Sequence, residues 1–275
     1  MADRANLPAI RACLFDMDGL LVDTEEKLTI CTNLVLAKYN RPPIPWSIIA
    51  QLQGRPAGTA GAILEDWAQL PISRAQYYAE VQELQKIYFP TVAPLAGVEQ
   101  LLADLQRART TALGSPVHLA LATSTGSDMF AAKTGHLTGF FDAFPPHRRV
   151  LGDDVRIADG RGKPAPDIYR LALRTINESL PVGESPVAPD ECLVFEDSVP
   201  GVEAGRRAGM QVVWCPDPAL FAEYRGRHQL VLAGATGEGG TEVEDGKVGI
   251  VGDGFARYLP TLENFPYQEY DISIT

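Results

Sequence analysis

Short apolar runs punctuate the chain at 12–15 ("ACLF"), 119–122 ("LALA"), 192–195 ("CLVF"), 212–214 ("VVW") and 230–233 ("LVLA"). Each is continuous rather than alternating, which suits strands buried on both faces of a parallel sheet. Between most of them the apolar positions recur at three to four. Val98, Leu101, Leu102 and Leu105 form one such stripe, and Ile168, Leu171, Ala172 and Ile176 another. Strands alternating with helices predict an α/β fold built on a doubly wound parallel sheet.

Residues 23–92 break this alternation, with one helical pattern after another and no clear strand. Asp23 with Glu26 and Ser73 with Gln76 have the spacing of capping boxes. Ala60, Ile63, Leu64 and Trp67 mark one helix, and Tyr77, Val81, Leu84 and Ile87 another. The pattern predicts an all-helical domain, 23–92, inserted into an α/β core formed by 1–22 and 93–275. The joints fall in "LLVDT" (20–24) and "TVAPLAG" (91–97). An insertion of this kind beside a site is expected to act as a lid. Residues 234–249, rich in Gly and acid, have the composition of a surface loop. The spaced glycines of 248–254 follow no strand–helix pattern and carry little weight as a nucleotide fingerprint.

With 275 residues and 45% hydrophobic content, the chain can bury a large core. Its net charge of −11 argues against nucleic acid or an anionic membrane as partner. No apolar stretch is long enough to span a bilayer, and no signal peptide is visible, so a cytoplasmic protein is expected. The four cysteines (Cys13, Cys31, Cys192, Cys215) are scattered through apolar surroundings, as buried free thiols are. A monomer or weak homodimer is expected.

The chemistry gathers where apolar runs end. Asp16 follows the first run directly and Asp18 lies two residues on, with Gly19 allowing a tight turn. A carboxylate at a strand's carboxyl end can hold a hard cation such as Mg²⁺ or act as a nucleophile. Asp18 could give a proton to a leaving oxygen and later take one from water. Thr123 and Ser124 close another run with hydroxyls that can donate to a phosphate, although such residues also commonly cap helices. Lys163 in "GKPAPDIY" could neutralise a phosphate or an aspartate. Glu196 and Asp197 end a further run. Two acidic pairs on two strand ends suit one shared divalent cation, which offsets their repulsion.

In this order the four features resemble the motifs of the haloacid dehalogenase-like hydrolases over residues 10 to about 218. Asp16 and Asp18 match the first motif, Thr123 the second, Lys163 the third and Glu196–Asp197 the fourth. The insertion after the first motif matches the subgroup with a helical cap. The resemblance implies Asp16 as nucleophile, Asp18 as acid and base, and Lys163 and Thr123 as phosphoryl-oxygen partners. It implies Mg²⁺ held by the Asp16 side chain, the Asp18 backbone carbonyl and Asp197, with Glu196 beside or behind it. The substrate implied is a small phosphorylated metabolite, a nucleoside or sugar phosphate such as pseudouridine 5′-phosphate. "LQGRPAG" (52–58) resembles the family's specificity loop, which makes Arg55 and Gly54, with Ser124, candidate substrate contacts.

Two other functions stay open. A phosphomutase uses the same core, but the mutase branch carries a His in the first cap helix where Leu28 stands here. A non-catalytic module that binds a phosphate ligand could share the fold.

Overall fold

The structure, a computed structural model, describes residues 7–55, 57–111, 114–237 and 248–274. The elements run β1 (Ala12–Phe15), α1 (Thr24–Lys38), α2 (Trp46–Leu52), α3 (Ala57–Ala68), α4 (Arg74–Tyr88), α5 (Val98–Arg107), β2 (Arg109–Thr110), β3 (His118–Ala122) and α6 (Ser127–Thr134). They continue β4 (Arg149–Val150), α7 (Asp167–Glu178), β5 (Cys192–Glu196), α8 (Val199–Arg207), β6 (Gln211–Trp214), α9 (Pro218–Glu223), α10 (His228–Ala233), β7 (Ala256–Tyr258) and β8 (Ile272–Ser273).

Six strands form a parallel sheet in the order β4-β3-β1-β5-β6-β7. The chain leaves β1 to build β3 and β4 on one side, then crosses to β5, β6 and β7 on the other. The reversal beside β1 opens a crevice at the strands' carboxyl ends, where ligands of open α/β sheets bind. Successive side chains of each strand serve opposite faces. Cys13 and Phe15 of β1, with Leu193 and Phe195 of β5, enter one apolar core together with Leu101, Leu105, Phe265 and Tyr270. Ala12, Leu14, Cys192 and Val194 enter another, shared with α7, α8 and α10.

Helices α1–α4 surround their own apolar cluster, which includes Cys31, Val35, Leu64, Tyr77 and Val81. The chain enters and leaves this region through two adjacent strands of loop, where Val22 bridges Pro94. Asp23 stands at the N-cap of α1, but its side chain does not cap the helix. It accepts from the backbone N–H of Ala93 (2.8 Å) and pairs with Lys27 (2.8 Å), so the capping box with Glu26 does not form and the two joints are tied together instead. Ser73 does accept from Gln76 N–H, while the Gln76 side chain turns to Tyr39 and Glu80.

The run 230–233 is not a strand. It lies in α10, with Val231 and Ala233 buried, Leu230 exposed, and Gly234 left-handed (φ 65°) at its end. A strand absent from the apolar pattern, β7, takes the sheet edge beside β6, and β4 is only two residues long. Much of the segment 234–249 lies outside the described residues. Among the described residues, no helix is long and apolar enough to cross a membrane.

Candidate active site

The parallel register places Phe15 between Leu121 and Phe195, so β1, β3 and β5 end at one level. Asp16, Thr123 and the Glu196–Asp197 pair therefore emerge together. Backbone bonds continue just past the strands: Asp16 N–H donates to Phe195 C=O (3.1 Å) and Thr123 N–H to Val150 C=O (3.1 Å). Gly19 then turns the chain with φ 78°, and a Cβ there would come within 2.4 Å of the Asp197 carboxylate. Gly201 is equally confined, because a Cβ would overlap the Glu196 carboxylate.

Lys163 is almost fully buried and donates to Asp16 Oδ1 and, at 2.6 Å, to Glu196 Oε1. Glu196 Oε1 also accepts from Tyr169 O–H (2.6 Å), and its Oε2 from the Ser198 N–H (3.1 Å) and O–H (3.0 Å). Burial lowers the tendency of Lys163 to stay charged, but the Asp16 and Glu196 carboxylates overcome this and raise its pKa. For Asp16, burial and the neighbouring Glu196 and Asp18 charges outweigh Lys163 and push its carboxyl up to about 7. Burial, with Glu196 and Asp16 nearby, pushes Asp197 well above the carboxylate range.

Asp18 behaves oppositely. Burial alone would raise its pKa, but Lys133 and three hydrogen bonds bring it below the ordinary value. Its Oδ1 accepts from Lys133 (2.6 Å) and Thr24 (2.5 Å), and its Oδ2 from Thr125 (2.6 Å) and, more loosely, Thr123 (3.4 Å). Lys133 also donates to Thr125 (3.0 Å). Two neighbouring aspartates thus sit in contrasting environments, as paired catalytic groups with separate roles do.

Asp16, Glu196 and Asp197 can offer one oxygen each within 4.8 Å of one another. Three buried carboxylates share a single buried lysine, Lys163, and burial drives two of them toward protonation. An oxygen-only donor set with surplus negative charge fits a hard divalent cation such as Mg²⁺. Both Glu196 oxygens already accept hydrogen bonds, which leaves Asp16 and Asp197 as the freer ligands. The Asp18 carboxylate is turned away toward Lys133.

A cavity of about 350 Å³ between the carboxyl ends of the strands and the helical region reaches Asp16, Asp18, Thr123, Ser124, Lys133 and Arg55. The loop after α2 closes onto the sheet. Gly54 is left-handed (φ 70°), its carbonyl accepts from Ser124 O–H (3.5 Å), and a Cβ on it would meet Ser198 Oγ at 2.3 Å. Gly54 and Ser124 therefore touch each other, and Arg55 lines the cavity beside them. The sequence-predicted residues Asp16, Asp18, Thr123, Ser124, Gly54, Arg55 and Asp197 all line this cavity, while Lys163 and Glu196 stand buried behind Asp16. The hydrophobic and motif patterns overlooked Lys133, Thr125, Thr24 and Tyr169. Thr125 lies two residues from Thr123, and Thr24 six from Asp18. Lys133 is 115 residues from Asp18 and carries no local signal.

The family model described as haloacid dehalogenase-like hydrolase matches residues 10–209. A protein named "Probable pseudouridine-5'-phosphatase" from Saccharomyces cerevisiae is 39% identical, covering 82% of this chain and 90% of its own. The (DL)-glycerol-3-phosphatase 1 of Arabidopsis thaliana is 34% identical, covering 82% and 70%. Among solved structures, CbbY from Rhodobacter sphaeroides in complex with phosphate superposes with a TM-score of 0.55 at 25% identity, covering 76% of this chain and 88% of that one.

Proposed function

The chain belongs to the haloacid dehalogenase-like hydrolases, and from that premise we propose that it is a Mg²⁺-dependent phosphatase working through an aspartyl-phosphate on Asp16. The observation that carries the reading is the split between two adjacent carboxylates, one facing the acidic group of Glu196 and Asp197, the other held by Lys133 and hydroxyls.

Asp16 attacks the phosphorus of a small phosphate monoester, and the P–O bond to the alcohol breaks. The departing alkoxide takes a proton from Asp18. Asp18, now a carboxylate, removes a proton from water, whose oxygen attacks the aspartyl-phosphate and frees phosphate and Asp16. The arrangement of Asp18 with Lys133, Thr24 and Thr125 is that of the carboxylate, the form that accepts the proton from water. Lys163 offsets the charge on the phosphoryl oxygens, and the Thr123 hydroxyl donates a hydrogen bond to them. Mg²⁺ would be held by Asp16, Asp197 and the Asp18 carbonyl, with Glu196 behind, and would supply charge stabilisation to the transferring group. Residues 23–92 serve as the cap that excludes water, with Arg55 as a second substrate contact.

The substrate class is nucleoside, sugar or polyol phosphates, and pseudouridine 5′-phosphate is the first to test because of the yeast relative's name. Leu28 lines the cavity and has no proton to exchange, which disfavours a phosphomutase. A Mg²⁺-dependent phosphate-release screen over these monoesters tests the proposal. Turnover of at least one, abolished in Asp16→Asn, is expected. Silence across the screen would favour a binding module, and conversion of glucose 1-phosphate to glucose 6-phosphate would favour a mutase.

A further inference from the structure

We infer that Tyr169 is a positioning residue: its hydroxyl commits Glu196 to Lys163, which holds the lysine ammonium in place for phosphoryl transfer and keeps Glu196 out of the cation's inner shell. The inference rests on the phosphatase reading above. Tyr169 stands in the first turn of α7 and is fully buried, with its ring in the apolar core shared with α8. Its O–H donates to Glu196 Oε1 at 2.6 Å. Burial and the nearby Glu196 and Asp16 charges push its pKa well above the ordinary tyrosine value, so the proton stays on the phenol. The same ring lies beside Lys163, whose Nζ is 5.3 Å from its centroid.

A carboxylate has about four lone-pair sites. On Glu196 four donors fill them: Lys163 (2.6 Å) and Tyr169 on Oε1, the N–H and O–H of Ser198 on Oε2. Glu196 is thus the fixed counter-ion of Lys163 rather than a ligand for the cation. A lysine ammonium has three N–H groups. Asp16 and Glu196 take one each, which leaves one for a phosphoryl oxygen. The two acceptors fare differently during turnover. Once Asp16 carries the phosphoryl group, its carboxylate charge is gone and its pull on Lys163 weakens. Glu196 is then the acceptor that keeps Lys163 in place, and Tyr169 keeps Glu196 in place. Without the hydroxyl, Oε1 loses a charge-assisted hydrogen bond and the Lys163–Glu196 pair is free to shift as a unit. A displacement of about 1 Å in such a group costs on the order of 10²-fold in rate.

The test compares wild type with Tyr169→Phe, which keeps the ring and removes one oxygen, on the best monoester of the phosphate-release screen. The kcat should fall by about 10- to 100-fold, with KM, and the Mg²⁺ Kd from calorimetry, within about threefold of wild type. In a Lys163→Met background, Tyr169→Phe should cost nothing further, because the hydroxyl acts through the lysine. A kcat within about twofold of wild type, or an equal loss in both backgrounds, would show that the hydroxyl only satisfies the core, and would overturn the inference. So would a Mg²⁺ Kd weakened by roughly 10- to 100-fold, the mark of a residue that orients a cation ligand. Should the thermal midpoint show Tyr169→Phe to be unfolded, Glu196→Asp carries the test. It keeps the charge but draws it back from Tyr169 and Lys163, so kcat should fall alike, and a wild-type kcat would overturn the inference. Wild-type silence on every monoester of the screen would instead overturn the phosphatase reading, and this inference with it.

Discussion

Lys133 decides how Asp18 behaves. It is buried, donates to Asp18 Oδ1, and shares Thr125 with it. Removing its charge should raise the Asp18 pKa, because the cation and its hydrogen bond are what oppose burial. Lys133→Met should therefore lower kcat by roughly 10²-fold and move the acidic limb of the kcat profile, which reports ionised Asp18 as the base toward water, to higher pH. A pH–rate profile checks this, and an unmoved limb would detach Lys133 from Asp18. Much of the site at this scale is legible in the chain itself. Asp16, Thr123, Glu196 and Asp197 follow apolar runs directly, so a strand end and a functional group are read together. Lys133 has no such marker, since "AAKTG" is an ordinary helix end and its partner is distant in sequence. Asp23 has a marker, but its carboxylate finds Ala93 N–H across the joint, a tertiary partner that outcompetes the local cap.

Elements show the same division. The stripes of α5 and α7 and the runs of β1, β3, β5 and β6 are long or strong enough to declare themselves. A four-residue apolar run such as 230–233 fits a buried strand or one face of a short helix equally well, and Gly234 with one-sided burial makes it a helix. The C-terminal segment is the larger surprise. Phe265 sits beside Phe195 (5.3 Å between ring centroids) and stacks with Tyr270 (5.0 Å), while Ile272 pairs with Thr110 in a small antiparallel ladder. Leu259, Leu262, Phe265, Tyr270 and Ile272 all belong to the core on that face of the sheet. The tail thus covers apolar surface that a helix would otherwise cover, and no periodicity announces it. Phe265→Ala should destabilise the protein by about 3–5 kcal/mol, measurable by denaturant unfolding. A loss well under 1 kcal/mol would mean the tail is not part of the core.

For the whole molecule, the central fact is a sheet that gathers negative charge at the carboxyl ends of its central strands, beneath a helical region. Asp16 and Asp197 have pKa values raised above the unfolded-state range. Between about pH 4 and 7 the folded metal-free protein therefore binds more protons than the unfolded chain, and its stability falls as pH rises through that window. A divalent cation reverses the penalty by binding the ionised form. Mg²⁺ at about 100 times its Kd should raise the thermal midpoint by roughly 5–10 °C near pH 8, and by clearly less near pH 5. Calorimetry with Mg²⁺ and with EDTA at both pH values checks the sign. An equal shift at both would place the cation away from these carboxylates.

The most direct test is to quench turnover of the best substrate in acid and locate the phosphoryl group by peptide mass spectrometry. The account predicts one phosphoryl group on the peptide containing Asp16, carried by that residue and absent from Asp16→Asn. Active turnover with no phosphoryl group on that peptide, or with Asp16→Asn as active as wild type, would contradict it.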